Sequence, residues 1–228
     1  MATIKSFVLR TGRLSPRQKR GLEHYLPAYQ LILTDTPWDW GTCFGRDAEI
    51  VVELGFGMGQ TLLTLAQDQP QYNFLGIEVH KAGIGHLAMS LHEKRISNVR
   101  IAPYDALDVL QRGVPPASLA GVSIFFPDPW PKARHKKRRL IQPDFVRLAV
   151  SRLRPGGWIH LATDWEDYAW QMLKVLTQAA DLVNLDVNGG FIPRPASRPM
   201  TKFEQRGLKL GHGVWDLMFQ RVINLNCT

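Results

Sequence analysis

The stretch EIVVELGFGMGQTLLTLAQ, residues 49–67, decides the expected fold. It begins with a short, mainly apolar run that is typical of a buried strand, and closely spaced glycines then allow a tight turn. The rest, from Gln60, repeats apolar residues at helical spacing and ends before Pro70. The stretch therefore predicts a strand, a glycine turn and a helix, which form the first half of a βαβ unit.

The same alternation continues along the chain. Further strands are predicted at 73–79, 99–104, 122–126 and 158–163, and helices at 81–95, 143–153 and 165–180, the second of these helices being stopped by the prolyl-glycine run at 155–157. Two more strands, at 182–187 and 214–222, have no helix between them, so we expect the last strand to run antiparallel. The pattern predicts an α/β fold with a mostly parallel seven-stranded sheet and helices on both faces.

Composition and charge indicate one domain with a polyanionic partner. The chain has 228 residues, 45% of them hydrophobic, and no linker-like segment, so we expect a single domain over residues 1–228. The 28 Lys and Arg against 20 Asp and Glu favour nucleic acid or an anionic membrane surface. Residues 1–40 are basic with weak periodicity, and we interpret them as an arm before a core of residues 41–228. The arm is either an RNA clamp or a solubilising tail.

Targeting and metal signals are missing from the sequence. Charges interrupt every apolar run near the N-terminus, and no uncharged stretch reaches the length of a membrane span. Cys43 and Cys227 have neither disulfide-framework nor metal-site spacing. We therefore expect a soluble cytoplasmic protein without a membrane or metal partner, and the sequence leaves open whether it is a monomer or a homodimer.

An acidic side chain stands on or next to the end of each of the first five predicted strands. These residues are Glu53, Glu78, Asp105, Asp128 and Asp164. Because ligands of such sheets bind beyond the carboxyl ends of the strands, we expect the five carboxylates to share one site. The glycines between them, Gly55, Gly57 and Gly59, lack the G-x-G-x-x-G spacing of a dinucleotide site.

The carboxylates favour one kind of cofactor. They would repel a pyrophosphate but suit hydroxyls, amines and a sulfonium. Glu78 stands about twenty residues after the glycine turn, where an acid meets ribose hydroxyls in related folds, and Asp105 is placed for an adenine amino group. This inventory favours S-adenosylmethionine over NAD.

A dense basic tract follows the fourth strand, where residues 124–140 read IFFPDPWPKARHKKRRL. Prolines on both sides of Asp128 fix the backbone and remove donors, so this carboxylate should lie on a stiff turn. Trp130 either stacks on a base or packs in the interior. The run from Lys132 to Arg139 is dense enough in cations to neutralise phosphates, and we expect RNA or DNA contact. A solvated charge run or a localisation signal is the alternative.

Two other motifs have structural alternatives. Thr201 and Glu204 form a T-x-x-E pattern, which is also a helix capping box. Asp164 is also placed to cap the helix predicted from residue 165. Glu166 and Asp167 are interpreted as acids that complement the positive end of that helix.

Five segments together resemble the bacterial tRNA (guanine-N7-)-methyltransferases. They read VVELGFGMGQ, GIEVH, FFPDPWPKARHKKRRL, LATDW and RPMTKFEQRGLKLGHGVWDLMF, and the match runs over nearly the whole chain. The resemblance implies a Rossmann-like, class I S-adenosylmethionine-dependent methyltransferase fold. It also implies transfer of a methyl group to N7 of guanine 46 in the variable loop of tRNA, with S-adenosylhomocysteine as the other product.

The resemblance also implies roles for single residues. The cofactor site would be lined by Glu53, Gly55, Gly57, Gly59, Glu78, Asp105 and Asp128. Substrate would contact Lys132, Asp164, Thr201, Lys202, Phe203 and Glu204. RNA would contact Arg134, His135, Lys136, Lys137, Arg138 and Arg139. We expect Asp128 to be the central catalytic residue because its turn is stiff and its carboxylate matches the donors on guanine's Watson–Crick edge.

Two other classes of function stay open at this point. D-P-W is similar to the motif of enzymes that methylate exocyclic amines, although the longer PDPWPK motif and the TKFE loop count against that class. A catalytically silent RNA-binding protein on a methyltransferase fold is the third possibility, and an intact acidic rim counts against it.

Overall fold

The protein is described by a computed structural model for residues 12–201, 204–205, 211 and 213–223. Its strands are β1 (Ile50–Leu54), β2 (Asn73–Ile77), β3 (Val99–Ala102), β4 (Leu119–Phe125), β5 (Leu153–Thr163), β6 (Leu182–Asn184) and β7 (Trp215–Arg221). They form one sheet in the order β3-β2-β1-β4-β5-β7-β6. The strands from β1 to β5 pair in parallel, and β7 runs antiparallel to both β5 and β6. The predicted sheet is therefore confirmed.

Helices cover both faces of the sheet. They are α1 (Pro16–Arg20), α2 (Leu26–Tyr29), α3 (Trp40–Phe44), α4 (Gln60–Asp68), α5 (Lys81–Glu93), α6 (Ala106–Asp108), α7 (Pro143–Arg152) and α8 (Glu166–Thr177), with π-helical turns at Gly21–Tyr25 and Val109–Gly113 and a 3-10 helix at Ala133–Arg138. Val51 of β1 packs with the apolar side chains of α4 and α5, whereas Val52 packs with those of α7 and α8. Every residue of β1 is buried for this reason, as expected of a parallel strand covered on both sides.

Strand β5 differs from the expected strand. It begins at Leu153 instead of residue 158, and the prolyl-glycine run at 155–157 lies inside it. Its pairing with β4 shifts between Leu119 and Gly121, because Leu119 faces Leu153 while Gly121 already faces Trp158. The sequence run that stops α7 is therefore a bulge in a continuing strand, a place where proline and glycine are tolerated.

The N-terminal segment packs against the core over its described part. The segment from α1 to α2 lies along α5, and Gly21 meets Gly85 so closely that a Cβ at position 21 would lie 1.9 Å from the carbonyl oxygen of Gly85. Leu31 and Trp38 are buried in the same apolar cluster as the sheet. The segment is held both by this close backbone crossing and by four partly buried apolar side chains that pack against the core, Leu22, Tyr25, Leu26 and Tyr29. Residues 1–11 lie outside the described residues.

Gly21→Ala is expected to destabilise the fold because the added methyl group cannot fit against the backbone of Gly85. We expect the free energy of unfolding to fall by about 1–3 kcal/mol, as for other overpacked positions. Gly41→Ala is the matched control, since its Cβ would meet no atom closer than 3.5 Å. Urea denaturation measures both variants, and equal stability of the two would contradict the close crossing.

Candidate active site

A cleft opens beyond the carboxyl ends of β1, β2 and β4. Its volume is about 190 Å³, and its lining includes Gly55, Glu78, Tyr104, Phe126 and Asp128. It lies where β1 stands between β2 and β4, the point at which the strand order reverses and ligands bind in open α/β sheets. The structure thus brings two of the five predicted carboxylates, Glu78 and Asp128, to the wall of one cleft.

The glycine turn exposes bare backbone to this cleft. Gly55 and Gly57 have φ angles of 70° and 56°, which favour glycine, and a Cβ at either position would meet nothing within 4 Å. Gly59, with a φ of 75°, has a different role, because its Cβ would lie 2.8 Å from Leu87 of α5. The first two glycines therefore leave open space beside the backbone, and the third lets two helices pack closely.

Glu78 fixes the glycine turn. Its Oε2 accepts a hydrogen bond from the backbone N–H of Gly57 at 2.9 Å, and its Oε1 accepts from the N–H groups of Val79 at 2.7 Å and His80 at 3.1 Å. The side chain is 7% exposed. A carboxylate is acceptor-only when ionised, so three donors satisfy it well. Glu78, which the sequence predicted to bind a ligand, thus also links the turn after β1 to the end of β2.

Glu53 is a buried carboxyl that lacks a full set of partners. It is 4% exposed, and its Oε2 accepts no hydrogen bond from the part of the chain that the structure describes. Burial, helped by the negative charge of Glu78, raises the pKa of Glu53 to about 8. An orphaned buried oxygen next to a cleft is the kind of atom for which a ligand supplies the missing partner.

Asp105 and Asp128 stand at the ends of β3 and β4. Asp105 is half-buried, and its Oδ1 accepts from the N–H of Leu107 at 2.8 Å, so it caps α6. Asp128 is exposed. Phe126 and Trp130 on either side of it have φ angles of 53° and 45°, values that side chains rarely adopt. The predicted non-helical turn is therefore present, and backbone strain accompanies it.

Asp164 lies at the end of β5, beside a different hollow that it shares with Trp165 and Trp215. The capping alternative is wrong for this residue, because α8 begins at Glu166 with no side-chain hydrogen bond to its N-terminus. The nearby N–H of Trp165 instead donates to Oγ1 of Thr163 at 3.2 Å.

The T-x-x-E pattern forms the capping box. The N–H of Glu204 donates to Oγ1 of Thr201 at 3.0 Å, and the N–H of Thr201 donates to Oε2 of Glu204 at 3.4 Å. Both carboxylate oxygens of Glu204 also accept from the guanidinium of Arg198, at 2.7 and 2.8 Å. Lys202 and Phe203, the other predicted substrate residues of this loop, lie outside the described residues.

Sequence reasoning missed the cluster to which Arg198 belongs. Arg198 is 1% exposed and also donates two hydrogen bonds to Asp216 on β7, whose Oδ1 lies 2.8 Å from Nε2 of His160 on β5. Burial alone lowers the pKa of Arg198, but its hydrogen bonds to Glu204 and Asp216 raise it overall. This cluster ties the capped loop to the sheet. Only the short spacing between Arg198 and Glu204 was visible in the sequence.

The basic tract forms the 3-10 helix and divides into two kinds of cation. Lys132, Arg134 and Lys137 are exposed, and Arg138 stacks over the Trp130 ring with 4.8 Å to its centroid. The ring of His135 meets that of Trp130 edge-on. Trp130 is therefore packed against Arg138 and His135 of its own tract in this structure.

The remaining members of the tract, His135, Lys136 and Arg139, are partly or fully buried. Partial burial and the charges of neighbouring cations lower the pKa of His135, so its ring is neutral near pH 7. Nζ of Lys136 pairs with Asp167 at 2.9 Å. Arg139 is 2% exposed, so its side chain presents almost no surface to RNA in this structure.

Within residues 12–223, as far as they are described, no cluster of three His, Cys, Asp or Glu side chains is arranged to hold a metal ion. The same residues include no helix that is both long and apolar enough to span a membrane.

Glu53→Gln is expected to stabilise the ligand-free protein at alkaline pH, because the amide has no charge to bury. The folded pKa of about 8 lies above the value of 4.5 for an unperturbed glutamate. The free energy of unfolding of the unaltered protein therefore falls as pH rises between these values, by at most about 5 kcal/mol. Thermal melts should show the variant gaining stability at about pH 9 and little at about pH 4. Exposed Glu166, changed to Gln, is the control, and a gain independent of pH would contradict the buried charge.

Comparison with solved structures shows the fold. A 16S rRNA (adenine(1408)-N(1))-methyltransferase from Catenulisporales acidiphilia, with cosubstrate SAM, superposes with a TM-score of 0.58 at 15% identity, covering 85% of this chain and 96% of that chain. The 16S rRNA methyltransferase KamB superposes with a TM-score of 0.54 at 14% identity, covering 79% of this chain and 91% of that chain. These likenesses place the sheet among methyltransferase folds, as the resemblance implied.

Comparison of sequences shows the family. The family model Methyltransf_4, described as a methyltransferase, matches residues 47–217. A tRNA (guanine-N(7)-)-methyltransferase from Legionella pneumophila (strain Corby) is 58% identical over 95% of this chain and 97% of the relative. Another of that name, from Salmonella choleraesuis (strain SC-B67), is 50% identical over 96% of this chain and 92% of the relative. The chain is therefore a member of the tRNA (guanine-N(7)-)-methyltransferase family.

Proposed function

We propose that this protein methylates N7 of guanine 46 in the variable loop of tRNA, in the cytoplasm, with S-adenosylmethionine as the methyl donor. The observation that carries the proposal is the acidic cleft beside the bare glycine turn, with Asp128 on its wall and a basic tract directly after it in the chain. The names of the relatives supply the substrate class.

The residues present fit S-adenosylmethionine. Open space at Gly55 and Gly57 admits a ligand against the backbone, and Glu78 offers a carboxylate on the cleft wall. The buried carboxyl of Glu53, whose Oε2 lacks a hydrogen bond, suits a cationic partner because a cation would favour its ionised form, and the donor has such groups in its ammonium and sulfonium. Asp105, next to the lining residues Tyr104 and Ala106, would serve the adenine end. A pyrophosphate would meet the same carboxylates unfavourably.

The reaction needs alignment more than acid–base chemistry. Guanine N7 is a bare acceptor with no proton to remove. The donor supplies a methyl group on positively charged sulfur; the N7 lone pair forms the new bond to carbon, the carbon–sulfur electrons stay on sulfur, and the ring becomes cationic. Holding the two reactants in line is worth up to roughly 7–11 kcal/mol of the barrier.

Asp128 has the properties required to hold the base. Its carboxylate can accept from N1–H and the exocyclic amine of guanine, which are adjacent donors, and its charge offsets the charge that the ring gains. The strained turn limits its movement, so little alignment is lost at the moment of reaction. Asp164, which we also assign to the substrate, lies at the end of the adjacent strand β5.

The exposed cations supply tRNA affinity. Lys132, Arg134 and Lys137 are exposed on the surface of the tract, whereas Arg138 is half-buried over Trp130. Contacts between such cations and phosphates release counterions, so tRNA binding should weaken steeply as salt is raised. The capped loop with Thr201 and Glu204 would close the other side of the substrate site.

Asp128→Asn is expected to lower the single-turnover rate of methyl transfer by about 100-fold to 1,000-fold, because it removes a charge aimed at the developing cation while keeping the side chain's shape. The assay uses labelled donor and an unmodified tRNA transcript with guanine at position 46. A transcript with adenine there should accept no label from the unaltered enzyme. Asp144→Asn, at an exposed acid of α7, is the control. A near-normal rate for Asp128→Asn would remove Asp128 from the catalytic role.

A further inference from the structure

Arg139 differs from every other cation of the described tract. Its side chain is 1% exposed, whereas the side chain of Lys136 in the same tract is 42% exposed. A buried arginine is costly unless its charge is paired and its N–H groups are satisfied. The side chain must therefore be held by specific partners inside the protein.

Those partners come from two different elements. Nε donates to the carbonyl oxygen of Pro129 at 2.8 Å. The two terminal nitrogens donate to α8, one to Oε1 of Gln171 at 2.6 Å and the other to Oδ2 of Asp167 at 2.6 Å. The guanidinium also stacks on Tyr168, with 4.7 Å to the ring centroid. One planar group thus ties the turn after β4 to the helix after β5.

The turn needs such an external donor. Three of its residues, at positions 127, 129 and 131, are prolines and offer no backbone N–H. Phe126 and Trp130 hold unfavourable positive φ angles, which persist only where the surroundings impose them. Pro129 directly follows Asp128, so the hydrogen bond from Arg139 fixes the backbone next to the catalytic carboxylate.

The contact between Arg139 and α8 also lies near Asp164, the second carboxylate that we assign to the substrate. Asp167 lies in the first turn of α8, which begins two residues after Asp164. Lys136 pairs with the other oxygen of Asp167, so two cations of the tract bind the first turn of α8. Arg139 therefore links the turn that carries Asp128 to the first turn of α8, close in sequence to Asp164.

We propose that Arg139 is a positioning residue, which holds the Asp128 turn against α8 in the geometry for methyl transfer and makes no contact with RNA. The inference rests on the proposed function, because it assigns Asp128 and Asp164 to the substrate. Arg139, the last arginine of the tract, would then affect the rate of methyl transfer, whereas the exposed cations before it would provide the affinity for tRNA.

Arg139→Lys and Arg139→Gln test this assignment together. Lysine keeps the charge but cannot bond Pro129, Gln171 and Asp167 at once with a rigid fork. We expect both variants to lower the single-turnover rate at saturating tRNA and donor by about 10-fold to 100-fold, the size of effect that a misplaced reacting group produces. The affinity for tRNA and its dependence on salt should stay unchanged in both.

Two comparison variants define the opposite behaviour. Lys137→Gln removes an exposed cation, so its tRNA affinity should fall and its salt slope should decrease by about one unit. Arg147→Lys, at an exposed arginine of α7, should change neither rate nor affinity. If Arg139→Gln shows the reduced salt slope of Lys137→Gln, or Arg139→Lys keeps the full rate, Arg139 is not a positioning residue.

If the Arg139 variants fail to fold, a variant of a residue that pairs with Arg139 still tests the positioning role. Asp167→Asn changes an exposed residue of α8 that pairs with both Arg139 and Lys136, and we expect it to lower the saturated rate without weakening tRNA binding. An unchanged rate in Asp167→Asn would count against the link to α8. The unaltered enzyme separates the two hypotheses: if it transfers no methyl group to tRNA, the proposed function fails, whereas normal transfer with unaffected Arg139 variants overturns the positioning role alone.

Discussion

The site depends on the buried carboxylate of Glu78. It joins the glycine turn after β1 to the end of β2 through hydrogen bonds to Gly57, Val79 and His80. Without an acceptor at this point, the N–H of Gly57 would lose its partner, and the turn would be held to β2 by the bond from the N–H of Gly55 to the carbonyl oxygen of Ile77. Because the turn is fixed, bare backbone faces the cleft and Glu53 stays buried beside it with an unsatisfied oxygen. The hydrogen bonds of Glu78 that stabilise the glycine turn therefore also shape the surface that we propose binds the donor.

Charge is divided between neighbouring parts of the molecule. Carboxylates occupy the cleft at the ends of the strands, and cations occupy the 3-10 helix that follows β4. This division suits a cationic donor and a polyanionic substrate that must meet at one point. Among the described residues, Arg139 and Arg198 are the buried arginines, and each ties a loop that carries a predicted substrate residue to the sheet or its helix.

Local patterns in the sequence were enough to predict the sheet and its acidic edge. Apolar runs located the strands, and position at a strand end singled out Glu78 and Asp128 for the cleft. Burial of Arg139 was not visible, because a charge run does not show which cation turns inward. Asp167 was interpreted only as an acid near a helix start, since its partners lie about thirty residues away on another element. The contacts of His160 and Arg198 with Asp216 likewise form only once β5 and β7 pair.

The identity of the methylated atom tests the account most directly. Unmodified tRNA is treated with the enzyme and donor, then reduced with borohydride and cleaved with aniline, which breaks the chain only at N7-methylguanosine. The account predicts one cut, at guanine 46, that requires the enzyme and the donor. Methyl label in the tRNA without a cut would contradict it, because the acceptor would then be another atom, such as an exocyclic amine.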